Sequence, residues 1–278
     1  MEKYEFFSEK IDVKKDTESF DDFKSEVLNY KTDFREIDND FEKYDCSFEI
    51  IENSEEHMEL SSEFLDKFPE KRQEAVKSAF ENADKDYIEF IEKNKESLEI
   101  KKAGLFKNSG YLDNCIYMQR DLGDEEYGEV VTHELGHYLD ERQGWYSENI
   151  DYLNAVYDDS VAYSYEMAMH NEKREEMLDE LFSSDVCYNR HVSDILSAIS
   201  RNHPEIVKRY YSENVSYYQH SNEYFARGHN RENEIYADMM ACIAENNTET
   251  IDFLQKYYPN IYRETMKSIK GEDNHESN

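Results

Sequence analysis

Apolar residues recur along most of this chain at the three-and-four spacing of amphipathic helices. "ELSSEFLDKF" (59–68) leads to Pro69, and "PEKRQEAVKSAFENA" begins there, with proline in a first helical turn where no N–H is needed. "DYIEFIEKNKESL" (86–98) continues in the same style. The period changes over 98–119, where "LEIKKAGLF" and "GYLDNCIYMQR" read as strands separated by the turn-forming "KNSG". In "NCIYMQ", Cys115 and Tyr117 face one way and Ile116 and Met118 the other. From 147 to 270 the helical pattern returns in "NIDYLNAVY", "NEKREEMLDELF", "VSDILSAIS", "PEIVKRYY", "ENEIYADMMACIAEN" and "ETIDFLQKYY". Residues 1–45 are acidic and weakly patterned, suggesting one or two surface helices, and "CSFEIIE" (46–52) suggests a short strand. Helices, a small sheet, then more helices make an α+β fold with helix in the majority. The expected divisions are an acidic N-terminal segment (1–59), a domain over 60–270 with a helical insertion at 147–220, and a disordered tail (271–278).

Composition sharpens this picture. Only 3 Pro and 8 Gly interrupt 278 residues, so long linkers are not expected. Asp and Glu number 65 against 32 Lys and Arg, a net charge of −33, yet aromatics reach 14%. Disordered acidic chains are poor in aromatics, so this one is expected to fold beneath a strongly negative surface. Such a field repels nucleic acid and anionic membranes and mildly favours basic partners. No basic N-terminal region precedes an apolar run, and no stretch approaches the 18 or so apolar residues of a membrane span. Cys46, Cys115, Cys187 and Cys242 form no CxxC pair and read as ordinary thiols rather than disulfides or thiolate zinc ligands. A cytoplasmic location follows as the expectation.

The candidate chemistry lies in "EVVTHELGHYLDE" (129–141). Residues four apart share a helix face, so His133 and His137 can direct imidazoles at one zinc ion. Glu134 is rotated by about 100° and stands beside that ion, where a general base must be. Gly136 lets another backbone approach, and Val130, Val131, Leu135, Tyr138 and Leu139 supply an apolar face. The competing reading is a chance match in a chain rich in Glu. The metzincin extension is excluded because Asp140 and Gln143 occupy the places of its Gly and His. A glutamate from a later helix is the other common third ligand, and "ENEIYADMMACIA" (232–244) singles out Glu234. Four residues on, Asp238 shares its face and could accept the second N–H of His133 or His137. Ala237 and Ala241 are small enough for close helix packing. An amphipathic helix with acids on its wet face is the rival reading of this segment. Glu223 in "SNEYFARG" is the rival ligand, but Arg227 stands where it would need an acid. For an oxyanion stabiliser the candidates are Tyr224, His229, Tyr236 and His220, with Tyr224 first. His57, His170, His191, His203 and His275 have no partner at metal-like spacing and read as incidental.

These segments together resemble the zincin metallopeptidase clan in its glutamate-ligand (gluzincin) branch. More narrowly, "VSDILSAIS…YYQHSNEYFARGHNRENEIYADMMACIAENNTETIDFLQKYYPNIYRE" is similar to zincin-like domains of phage head-morphogenesis and minor-capsid proteins, which resemble the catalytic domain of anthrax lethal factor. The resemblance covers about 60–270. It implies zinc ligands His133, His137 and Glu234, with Glu134 as base. Lethal-factor-like enzymes place a Tyr seven residues before the ligand Glu; here that position is Arg227, and Tyr224 lies ten before. The implied protein is a zinc metallopeptidase, endopeptidase rather than exopeptidase, using one Zn2+ on a protein or peptide substrate. The "NCIYMQ" strand is expected to be the sheet edge on which that peptide adds. The resemblance also admits a catalytically weak structural protein of a phage particle, or a protein-cleaving effector or toxin.

Overall fold

The computed structural model describes residues 58–104 and 108–271, all within the unit Glu56–Asn278. The strand expected at 46–52, most of the acidic segment 1–59, and the tail beyond 271 lie outside the described residues.

Three helices lead in: α1 (Ser62–Leu65), α2 (Glu70–Ala79) and α3 (Lys85–Asn94). Ser61 caps α1 by accepting from Phe64 N, and α3 buries the Tyr87, Ile88, Phe90 and Ile91 face that its spacing predicts. A small sheet follows, made of β1 (Glu99–Lys102), β2 (Gly110–Leu112) and β3 (Cys115–Met118) in the order β1-β3-β2. β3 pairs parallel to β1 and antiparallel to β2, so the sheet is mixed. This corrects two expectations. The "GYLDNCIYMQR" segment is a hairpin, because Asp113 and Asn114 take positive φ (50° and 59°) as a tight two-residue turn requires. "NCIYMQ" is then the central strand with both sides occupied, and a peptide can join this sheet only at β1 or β2.

The long helix α4 (Asp124–Arg142) carries the His-Glu-x-x-His motif. Asp124, Glu125 and Glu126 in its first turn complement the positive end of the helix dipole. Beyond it come α5 (Ile150–Met169), α6 (Asn171–Phe182), α7 (Arg190–Ser200), α8 (Pro204–Ser212), α9 (Asn222–Phe225), α10 (Asn230–Glu245), α11 (Thr248–Tyr257) and α12 (Pro259–Lys270). Among the described residues the fold is mainly helical with one small mixed sheet, as the pattern predicts.

α10 is the axis of this arrangement, packed between α4 and α7 and touching α12. Every residue from Glu234 to Ala244 is buried, so no face of the helix is wet over that stretch. Its approach to α4 depends on Gly136, where an added Cβ would meet Ala237 Cα at 2.7 Å and Ala237 O at 2.9 Å. Among the described residues no helix is long and apolar enough to cross a membrane, and Cys115, Cys187 and Cys242 are buried free thiols.

Candidate metal centre

The close contact at Gly136 brings one turn of α4 against one turn of α10. His133 and His137 thereby face Glu234, with each Nε2 directed at the same carboxylate oxygen, Oε2, at 3.3 and 3.5 Å. The two imidazoles lie edge to face, 4.8 Å between centroids. Glu234 Oε2 is buried and makes no hydrogen bond. A buried carboxylate oxygen without a donor is costly, so something must satisfy it. Three ligand atoms bound about 2.0–2.1 Å from one tetrahedral zinc stand about 3.3 Å from one another, which is close to the 3.3 and 3.5 Å from the two imidazoles to Glu234 Oε2. The residues fit the metal.

Hydrogen bonds on the outer side aim these candidate ligands. Asp238 Oδ1 accepts from His133 Nδ1 at 2.7 Å, which puts the proton on Nδ1 and leaves the Nε2 lone pair for the ion. The sequence leaves open which histidine Asp238 serves; the structure selects His133. Tyr224 donates its hydroxyl to Glu234 Oε1 at 2.5 Å, so the other oxygen, Oε2, is the one turned to the imidazoles. The Tyr224 ring stacks on His220 at 4.4 Å, and His220 Nδ1 is held by Asp194 Oδ2 at 2.8 Å. Asp194 also accepts from His220 N and from Ser197 Oγ.

Electrostatics follow the same pairing. Burial pushes the His133 imidazole down, yet Asp238 and Glu234 outweigh it and hold His133 well above its ordinary value. His137 is likewise raised against burial, by Glu234. Glu234 is held well below its usual range against burial by the two imidazoles, and Asp238 is lowered by His133 and His191. Glu134 behaves differently. Burial raises its carboxyl, His133 and His137 pull it back, and Glu234 and Asp238 push it up again, for a net rise. A general base needs its affinity for a proton moved in this direction.

Among the described residues, three groups of His, Asp and Glu have ligand atoms within 4.8 Å of one another: His133, His137 and Glu234; His133, His191 and Asp238; and Asp194, His220 and Glu234. Hydrogen bonds of 2.7 and 2.9 Å join Asp238 to His133 and His191, and one of 2.8 Å joins Asp194 to His220, whereas the first group is spaced for an ion.

The structure brings together His133, Glu134, His137, Glu234, Asp238, Tyr224 and His220. It does not bring Tyr236, whose hydroxyl bonds Ser268 and Gln143, nor the exposed Glu223 and His229. His57 and His275 lie outside the described residues. His191 is not incidental: it sits in the first turn of α7, 2% exposed, with Nδ1 on Asp238 Oδ1 at 2.9 Å. Sequence reasoning missed it and Asp194 because no local spacing ties either to the ligands. Both come from α7, inside the stretch read as an insertion.

Compared with protein-family models, curated proteins and solved structures, the chain matches none.

Proposed function

We propose that this protein is a zinc-dependent metallopeptidase of zincin type, with His133, His137 and Glu234 holding one zinc ion. The observation that carries this reading is the convergence of two Nε2 atoms on the donorless Glu234 Oε2, 3.3 and 3.5 Å away. Bound zinc would supply Lewis acidity, making a water more acidic and polarising a substrate carbonyl. Glu134 accepts a proton from the attacking water and delivers it to the leaving amine. Its burial supports that role by raising its proton affinity. Tyr224 and Asp238 hold Glu234 and His133 in orientation. A peptide substrate is the fitting class, since β1 and β2 are the outer strands of the described sheet and an extended chain adds to such a strand by main-chain hydrogen bonds. The negative surface favours basic segments.

The test is metal content by mass spectrometry together with cleavage of a broad peptide library. Purified protein should carry about one equivalent of zinc. Glu134→Gln should keep that zinc while hydrolysis falls about 10²–10⁴-fold. Wild-type protein without zinc, or any tightly held substitute, rules the reading out. A zinc-loaded wild type that cleaves nothing leaves a structural zincin-like role.

A further inference from the structure

The ligand set leaves one buried group unexplained. His191 touches no proposed ligand by a hydrogen bond, yet it is 2% exposed and its ring lies 5.8 Å from that of His133, inclined by only 11°. Both rings send Nδ1 to the same atom, Asp238 Oδ1, at 2.7 Å from His133 and 2.9 Å from His191. We propose that His191 is a positioning residue for the metal centre: it locks the Asp238 carboxylate so that His133 presents Nε2 to the ion.

A carboxylate that takes one N–H can still turn about its own side-chain bond. A second donor from a different helix removes that freedom. Here the donors stand on α4 and α7 and the acceptor on α10, so one oxygen ties three helices together. His191 is itself held at several points. Asn189 Oδ1 caps α7 by accepting from His191 N at 2.9 Å and Val192 N at 3.2 Å. The Asn189 amide donates to Glu245 Oε2 at 2.8 Å, and the other oxygen of Glu245 stands 3.6 Å from His191 Nε2. A space-filling role at this position would be met by Leu, with no polar atom to desolvate. The imidazole earns its place through the bond to Asp238.

This inference rests on the metal reading of His133, His137 and Glu234, and zinc affinity tests the two separately. Zinc dissociation constants would be measured by chelator competition for wild type, His191→Asn, His191→Gln, His191→Leu, Asp238→Asn and the double variant His191→Leu/Asp238→Asn. The melting temperature of each metal-free protein would be recorded alongside. An Asn amide nitrogen falls near the place of imidazole Nδ1, whereas that of Gln falls near Nε2. H191N should therefore stay within about threefold of wild type, while H191Q and H191L weaken zinc binding about 10–100-fold. Because His191 acts through Asp238, H191L should weaken D238N by less than about a further threefold. Wild-type affinity in H191L and H191Q overturns the assignment. So does equal loss in H191N and H191Q, which reports packing alone, or full additivity with D238N. Wild-type protein that binds no zinc overturns the metal reading along with it.

Discussion

Tyr224 shows how a residue chosen for one role is placed for another. Its hydroxyl is on Glu234 Oε1, and burial with the neighbouring carboxylate pushes its own ionisation well above the usual tyrosine value. It is therefore a neutral donor that orients Glu234, the ligand proposed above. Tyr224→Phe should weaken zinc binding by about tenfold in chelator competition, with any loss of turnover following from it. A group that acted only on an oxyanion would leave zinc affinity unchanged and lower turnover alone. The ten-residue separation of Tyr224 from Glu234, against the seven implied by resemblance, is bridged by a short helix and turn. α9 ends at Phe225, and Gly228 takes positive φ (57°) before α10 begins.

At the scale of elements, the α4–α10 contact is the feature on which the centre depends. Gly136→Ala would drive a methyl group into the Ala237 backbone, which cannot yield as a flexible side chain would. Overpacking of this kind costs about 1–3 kcal/mol, so G136A should lower the urea midpoint and weaken zinc binding together. A second junction joins α5 to α12. Asp159 accepts from Asn260 Nδ2 at 2.6 Å and from Ile261 N at 2.9 Å, covering the first turn of α12. Burial nonetheless pushes its carboxyl up to about 6, from 3.8. The folded state then binds this proton more tightly than the unfolded chain, so the contribution is full below 3.8 and lost as pH rises through about 6. Asp159→Asn keeps an acceptor and removes the titration. Urea unfolding should show wild type losing about 1 kcal/mol relative to D159N between pH 5 and 7. Element identity was legible along most of the chain, since helical spacing is local and α6 follows "NEKREEMLDELF" from end to end. The hairpin was not, because Asp113-Asn114 lacks the glycine that usually marks such a turn.

Across the whole molecule, charge and topology set what local pattern does not. A net charge of −33 repels itself in the compact state, and added salt screens that repulsion. The melting temperature at pH 7 should rise as NaCl goes from about 10 to 200 mM, with the steepest change at low salt, where the Debye length is longest. A falling melting temperature would mean that attractive ion pairs outweigh the repulsion. Sequence alone determined the helical majority, the shared face of His133 and His137, the place of Glu134 beside it, and the pairing of Glu234 with Asp238. Each of these follows from 3.6 residues per turn and needs no knowledge of distant chain. It also marked Gly136 and Ala237 as positions for close approach. Only the tertiary structure decided that Asp238 serves His133, that Tyr224 holds Glu234, that His191 and Asp194 of α7 enter the centre, and that β3 is the middle strand. Those outcomes depend on which helices and strands pack together across long stretches of sequence. Contacts of that kind are set by the fit of whole faces, and a periodic pattern records only which face is apolar.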